Sequence, residues 1–350
     1  MKTLKDRLTQ MIRTSGPISV ADYMDICLHD TQQGYYTTSP GLGEDFITSP
    51  EISQVFGELI GLWAAFEWQQ MGAPSRISLV EIGPGRGTLM SDALRASLTI
   101  PGFVDAVDLH FIEPSPFLKG YLKERFVDCP PTFLDQIDDI PQSQPFILLA
   151  NEWLDCLPVQ QYARVGEAWH QRVVGLNEAG DLTFGLSADP APASLTFKTD
   201  QTSVELQPGL KTLAETLQGL LAQTRGRALF IDYGTTTGLP ADTLRSYKAG
   251  SQIDPLAAPG ESDLTADVDF ARLLRLSEAQ GLMVHGPLSQ SRFLLSLGAE
   301  KRLNQLVQNY PDDADALYQA VRKLVDPAEM GERFQALCIS RSDLPRPAAF

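Results

Sequence analysis

The segment ISLVEIGPGRGTLM constrains the fold of this chain more than any other. A short apolar run rises to an acid, Glu81, and then breaks into glycine at three alternate positions, Gly83, Gly85 and Gly87. A helical pattern begins at once, at Thr88. Together these features predict a strand, a tight loop and a helix N-terminus whose free N–H groups face a polar ligand.

The glycine spacing excludes two common nucleotide-binding loops. The third glycine of the dinucleotide fingerprint is absent, and no G-K-[ST] follows, as a P-loop would require. An acid two residues ahead of G-x-G-x-G instead resembles the first motif of class I S-adenosyl-L-methionine (SAM) methyltransferases. In those proteins the loop passes under the amino-acid end and the sugar of the cofactor. A plain strand–helix turn is the alternative interpretation.

Charge and composition limit the classes of partner. The chain has 350 residues, of which 43% are hydrophobic, so it can bury one large core or two. Its net charge of −16 argues against nucleic acid as the main partner, because phosphate binding needs clustered Lys and Arg. The acidity favours a cationic substrate, or it only keeps the protein soluble.

Cysteine usage and hydropathy indicate the compartment. The four cysteines stand far apart without a C-x-x-C pair, which predicts a reducing compartment and no metal site. No apolar run approaches the length of a membrane span, and the N-terminus has neither a signal core nor a transit-peptide composition. We therefore expect a cytoplasmic protein without a membrane span.

The order of patterns predicts an α/β fold with a Rossmann-like, class I SAM-methyltransferase sheet. We expect a helical N-terminal region over 1–75, followed by the SAM-binding domain over 76–350. Short alternating runs at 160–200 predict an antiparallel meander inside an insertion at about 160–225, and the part at 160–185 is a candidate homodimer surface. Residues 235–267 are expected to form a long polar loop.

Polar residues follow three further predicted elements. Glu113 ends the second strand, where an acid takes the ribose hydroxyls in nucleoside-binding folds, although a surface carboxylate is the alternative. Asp135 ends a weak third strand. Asn151 and Glu152 follow a buried strand, and ligands bind beyond the carboxyl ends of such strands, although helix capping is the alternative. Ser49 is the expected N-cap of a long helix.

Six motifs resemble, in their order along the chain, those of the MidA-like family of class I SAM methyltransferases. They are GYY at 34–36, DFITSPE at 45–51, VEIGPGRG at 80–87, NEWLDCLPV at 151–159, FIDYG at 230–234 and DLTADVDF at 263–270. This family includes the mitochondrial complex I assembly factor, a protein-arginine methyltransferase. The resemblance runs from about residue 15 to Phe350.

The resemblance implies SAM as cofactor and arginine on a partner protein, such as a subunit of a respiratory complex, as acceptor. The loop glycines would carry backbone contacts to SAM, and Glu81 would lie near its amino group. Glu113 would bind its ribose, and Asp135 would lie near its adenine. Asn151 would also face the cofactor. Since paired carboxylates match the fork of a guanidinium, Glu152 and Asp155 are the catalytic candidates.

Asp232 and Asp267 are weaker candidates for the same role. The family usually has histidine where Asp267 stands and glycine where Glu44 stands, and the first departure bears on the identity of the acceptor.

Two rival hypotheses stay open. One is a methyltransferase for a small molecule or for another side chain. The other is a SAM-fold scaffold that binds a partner as an assembly chaperone without turnover. Intact residues at Glu81, Glu113, Asn151 and Glu152 argue against lost cofactor binding, but they are also compatible with a silent enzyme.

Overall fold

The structure is a computed structural model that describes residues 2–38, 47–197 and 199–350. The departure at Glu44 lies outside the described residues. The α-helices are α1 Leu4–Ser15, α2 Val20–His29, α3 Tyr35–Thr38, α4 Ser49–Ile52, α5 Gln54–Gln70, α6 Thr88–Ser97, α7 Phe103–Ala106, α8 Pro116–Arg125, α9 Gly209–Gln223, α10 Phe270–Ala279, α11 Gln290–Ser296, α12 Ala299–Asn309 and α13 Ala314–Val325.

The strands follow in the same chain order. They are β1 Ile18–Ser19, β2 Ile77–Ile82, β3 Val107–Ile112, β4 Thr132–Leu134, β5 Phe146–Asn151, β6 Gln160–Val165, β7 Ala168–Leu176, β8 Leu182–Leu186, β9 Ser203–Leu206, β10 Gly226–Thr235, β11 Arg245–Lys248, β12 Ser251–Ile253, β13 Asp263–Thr265, β14 Val268–Asp269, β15 Met283–Ser289 and β16 Phe334–Ser340. No helix within the described ranges is both long enough and apolar enough to cross a membrane.

The chain forms two compact units. The sheet unit comprises Ile47–Leu154, Thr212–Gly234 and Phe270–Phe350, and the insert unit comprises Met1–Phe46, Asp155–Lys211 and Thr235–Asp269. The boundary expected at residue 75 does not separate them, since α5 packs on α6 inside the sheet unit.

The sheet unit is built on a mixed sheet whose strands run in the order β15-β16-β10-β5-β2-β3-β4. The pairs from β10 to β4 are parallel, whereas β16 runs antiparallel to β10 and to β15. All six residues of β2 are buried, as expected for a strand covered on both faces. The core over this sheet contains Trp63, Phe111 and Phe293.

Helix α5 leads into the motif strand, and its start differs from the prediction. The chain is extended at Ser53, whose hydroxyl accepts the N–H of Val55, so that residue is the N-cap of α5. Ser49 is not an N-cap, since α4 is preceded by Thr48, which makes no side-chain capping bond. The N–H of Ser49 instead donates to the carboxylate of Glu152.

The insert unit contains the predicted antiparallel meander. Strand β7 pairs with β1, β6 and β8, and β6 pairs with β9. The prediction of a long loop at 235–267 was wrong, because β11 pairs with both β12 and β13 in a second antiparallel sheet. These strands are too short for their alternation to predict them. The homodimer surface at 160–185 stays a prediction.

Candidate active site

The register of the parallel strands aligns their carboxyl ends. Ile82 of β2 pairs with Ile112 of β3 and with Ala150 of β5, and the neighbouring pairs on either side keep the same register. Side chains that follow these positions therefore lie at one edge of the sheet. The predicted site residues brought to this edge are Gly83, Glu113, Asp135, Asn151, Glu152 and Asp232.

The glycine loop is a tight left-handed turn. Gly83, Gly85 and Gly87 have φ of 63°, 54° and 70°, values that favour glycine. The N–H of Gly87 donates to the carbonyl of Pro84 at 2.7 Å, which closes the turn just before α6.

Gly87 has a packing role that the sequence did not indicate. A β-carbon there would lie 2.6 Å from Cε2 of Phe126 and 2.8 Å from Cδ2 of Leu122, so its small size lets the loop pack beside α8. A β-carbon at Gly83 would meet only Cδ1 of Trp153, at 3.7 Å. Backbone contacts of this loop to a cofactor stay a prediction.

Two buried carboxyl groups, Glu81 and Glu113, lie at the ends of adjacent strands. Glu81 is 3% exposed and Glu113 is 5% exposed, so the surface interpretation of Glu113 is wrong. Burial, followed by repulsion from Glu113, raises the pKa of Glu81 to about 8. Burial also raises the pKa of Glu113 to about 7, although its bond from the N–H of Ser115 and the charge of Lys119 oppose this shift.

The turn after β5 holds Glu152 in an uncommon conformation. Its φ is 52°, a left-handed value that is costly for a residue with a side chain. Its N–H donates to the carbonyl of Ile231 at 2.8 Å. Its Oε1 accepts the N–H of Ser49 at 2.8 Å and Nδ2 of Asn151 at 3.0 Å. The carboxylate is therefore fixed by two donors from different segments.

Asp232 supports this turn from β10. It is fully buried, and its two oxygens accept the backbone N–H groups of Leu154 and Tyr233, both at 2.8 Å. Two such charge-assisted bonds to the main chain suit a side chain that positions the turn.

Asp155 and Asp267 belong to the insert unit. Oδ2 of Asp155 accepts the hydroxyl of Thr265 at 2.6 Å, and its Oδ1 accepts the thiol of Cys156 at 3.3 Å. The backbone N–H of Asp267 donates to Oγ1 of Thr243. Glu152 and Asp155 do not follow each other in one helical turn, because the φ of Glu152 is left-handed.

The sequence alone did not place Ser49 in the site, and it predicted the position of Asp135 but not its exposure. Ser49 was interpreted as a cap, although its motif, DFITSPE, was available as a signal. Asp135 lies at the end of β4 as predicted, but it is exposed, so a contact to adenine stays a prediction.

A mixed sheet with parallel central strands, a glycine loop after one of them and a buried acid after the next is typical of the α/β SAM-methyltransferase fold. Two crystal structures of proteins from Burkholderia thailandensis share it. One, solved with S-adenosyl-homocysteine, has a TM-score of 0.84 at 24% identity, covering 99% of this chain and 93% of that one. The other has a TM-score of 0.85 at 26% identity, covering 99% and 94%.

Sequence comparison gives the family. Residues 59–288 match the family model described as "Putative S-adenosyl-L-methionine-dependent methyltransferase". The zebrafish (Danio rerio) protein named protein arginine methyltransferase NDUFAF7, mitochondrial, is 35% identical over 365 residues, covering 95% of this chain and 86% of that protein. The human protein of the same name is 35% identical over 362 residues, covering 93% and 81%. The chain therefore belongs to the SAM-dependent methyltransferase family that this model describes, and SAM is its cofactor.

The residues at the sheet edge fit this cofactor. Oε2 of Glu81 and Oδ1 of Asn151 are buried and have no hydrogen-bond partner among the described residues. Buried polar atoms in proteins nearly always have partners, so these acceptors match the N–H groups of a bound amino-acid moiety. The buried carboxyl of Glu113 follows the strand beside β2, and its contact to the ribose hydroxyls stays a prediction.

Proposed function

We propose that this protein transfers the methyl group of SAM to a nitrogen of an arginine side chain on a partner protein. The observation that supports this most is the carboxylate of Glu152, fixed by the N–H of Ser49 and the amide of Asn151 beside the cofactor residues. A fixed carboxylate at this edge can orient a guanidinium and hold its nitrogen toward the methyl group. The names of the relatives support arginine as acceptor.

The cofactor supplies an activated methyl group on a sulfonium centre, and the acceptor nitrogen gains that methyl group as it loses a proton. The protein therefore mainly binds, orients and excludes water. Glu81 and the glycine loop would hold the amino-acid end, and Glu113 the ribose. Glu152 would pair with the acceptor, and Asp155 is the second candidate for this role.

The partner and compartment are also part of this proposal. A subunit of a respiratory complex is the first partner to test, in line with the family resemblance. The four cysteines are all free, which fits a reducing compartment, and we propose the cytoplasm.

A labelling experiment tests the acceptor. Protein extract from cells that lack this gene product is incubated with purified enzyme and SAM that carries a deuterated methyl group, and mass spectrometry then locates the label. We expect deuterated methylarginine with the wild type. Glu152→Gln should keep its affinity for S-adenosyl-homocysteine within about threefold while turnover falls about 100-fold or more, since orientation supplies several kcal/mol.

The control is Glu124→Gln, the same change at an exposed glutamate of α8, which should leave turnover unchanged. Full turnover in Glu152→Gln would remove this residue from the acceptor site. Label found only on small molecules or on another side chain would show a different acceptor class. Binding of S-adenosyl-homocysteine without any labelled product would show a non-catalytic scaffold.

A further inference from the structure

The hydroxyl of Ser49 makes no hydrogen bond within the residues that the structure describes. The residue is fully buried. Its backbone N–H, not its side chain, holds Glu152, at 2.8 Å. A buried hydroxyl without a partner destabilises a fold, so an alanine would serve the scaffold better.

Covalent geometry places this hydroxyl at the site. Within one serine, Oγ lies roughly 3 Å from its own backbone nitrogen. Because that nitrogen is 2.8 Å from Oε1 of Glu152, the hydroxyl belongs to the same small cluster of polar groups.

The amide of Asn151 contributes a second unsatisfied acceptor. Its Nδ2 donates to Oε1 of Glu152 at 3.0 Å, and the reverse orientation would set two acceptors against each other. Its buried Oδ1 therefore points elsewhere, without a partner among the described residues. Glu81 pairs with Leu149, two residues before Asn151, so these two polar side chains lie on the same face of the sheet.

The unpartnered oxygen atoms at this edge can all be satisfied by a ligand that donates hydrogen bonds. Oδ1 of Asn151 can only accept hydrogen bonds, Oε2 of Glu81 accepts them once its carboxyl is ionised, and Oγ of Ser49 can also accept one. A cationic nitrogen with several N–H groups satisfies such a set, whereas an anion would be repelled by the carboxylates.

We propose that Ser49 is a ligand-contacting residue whose hydroxyl, together with Oδ1 of Asn151, accepts hydrogen bonds from a cationic nitrogen. This inference deepens the proposed function and rests on it for one of its two sources. The nitrogen is either the α-ammonium of the cofactor or the guanidinium of the acceptor.

Ser49→Ala tests the hydroxyl alone, because it keeps the backbone N–H that holds Glu152. Thermal unfolding without ligand should be unchanged or shifted to higher temperature. If the cofactor is the source, calorimetry with S-adenosyl-homocysteine should show an affinity loss of about tenfold, the usual effect of one hydrogen bond to a charged group. If the acceptor is the source, that affinity stays constant and KM for an arginine-containing peptide rises about tenfold.

Two matched variants control for burial. Ser97 of α6 is also fully buried with an unpartnered Oγ among the described residues, so Ser97→Ala should stabilise the fold without changing either binding constant. Ser53 is buried, but its hydroxyl accepts the N–H of Val55, so Ser53→Ala should lower stability and leave ligand affinity unchanged.

The outcomes separate this inference from the proposed function. Unchanged affinity for S-adenosyl-homocysteine together with unchanged KM in Ser49→Ala overturns it, and so does a loss of affinity that merely follows a loss of stability. If the wild type methylates no arginine, the proposed function fails, and affinity for S-adenosyl-homocysteine alone then decides whether Ser49 contacts a ligand.

Discussion

Removing the charge of Glu81 should stabilise the protein without its cofactor, and increasingly so as pH rises. The pKa of this buried carboxyl is raised from 4.5 to about 8, so between these pH values the folded state holds a proton that the unfolded state has released. Folding stability therefore falls as pH rises through this window. Glu81→Gln has no proton to lose in either state, so the part of the decline that comes from Glu81 disappears, while the part that comes from Glu113, whose pKa is raised to about 7, remains.

The magnitude follows from the shift. A difference of about 3.5 pKa units corresponds to about 5 kcal/mol at 1.36 kcal/mol per unit, which is an upper limit because structural relaxation and water reduce it. We expect the variant to match the wild type near pH 5 and to exceed its free energy of unfolding by about 3–5 kcal/mol near pH 9.

Urea unfolding followed by tryptophan fluorescence, at pH 5, 6, 7, 8 and 9 without ligand, measures this difference. Glu124→Gln is the matched control, since this glutamate is exposed, and its unfolding curve should follow the wild type at every pH. A Glu81→Gln stability difference that stays constant from pH 5 to pH 9 would refute the reasoning. The same variant should bind S-adenosyl-homocysteine more weakly, because a cationic amino group prefers a carboxylate.

Three further predictions concern neighbouring parts of the sheet unit. Glu113→Ala should weaken SAM binding by about 1–3 kcal/mol in calorimetry, the usual effect of losing a charged partner, and a clearly smaller loss would contradict a ribose contact. Gly87→Ala should lower the free energy of unfolding by about 1–3 kcal/mol, since its β-carbon meets Phe126, whereas Gly120→Ala, with open space around it, should raise it by about 0.5–1 kcal/mol. Glu58→Ala should destabilise by about 1.5–3 kcal/mol in urea unfolding, because this buried carboxylate accepts bonds from the partly exposed Arg95 and Arg302, and Arg95 keeps its second partner, Asp92.

The elements that sequence reasoning identified correctly have strong local signals. The apolar run from Phe146 to Ala150 predicts the buried strand before Asn151, and β5 covers this run and extends to Asn151 in the structure. Ser19 followed by Asp22 three residues later is a pattern that predicts a helix N-terminus, and α2 begins there, with the hydroxyl of Ser19 accepting the N–H of Asp22. In both cases residues within a few positions of each other determine the structure.

Elements without a local signal were missed. Strand β11 has four residues and is recognisable only through its pairing with β12 and with β13, which begins at Asp263. Burial of Glu113 was also undecided, because the sequence between Ile112 and Ser115 is compatible with either a surface or a buried carboxylate. Both the strand β11 and the burial of Glu113 depend on contacts between segments that are separated in the chain.

The sequence by itself determined the fold class, the family and the cofactor. The loop glycines at 83, 85 and 87 can be read from the sequence, because the turn needs a left-handed backbone conformation that glycine adopts readily. The order of the other motifs can also be read from the sequence. Only the tertiary structure determined how Glu152, the candidate residue for binding the acceptor, is held. Glu152 receives the N–H of Ser49 from 103 residues away, and Asp232 holds Leu154 from 78 residues away. No local pattern encodes such contacts, since they form only when folded strands and helices bring distant backbone groups to one edge of the sheet.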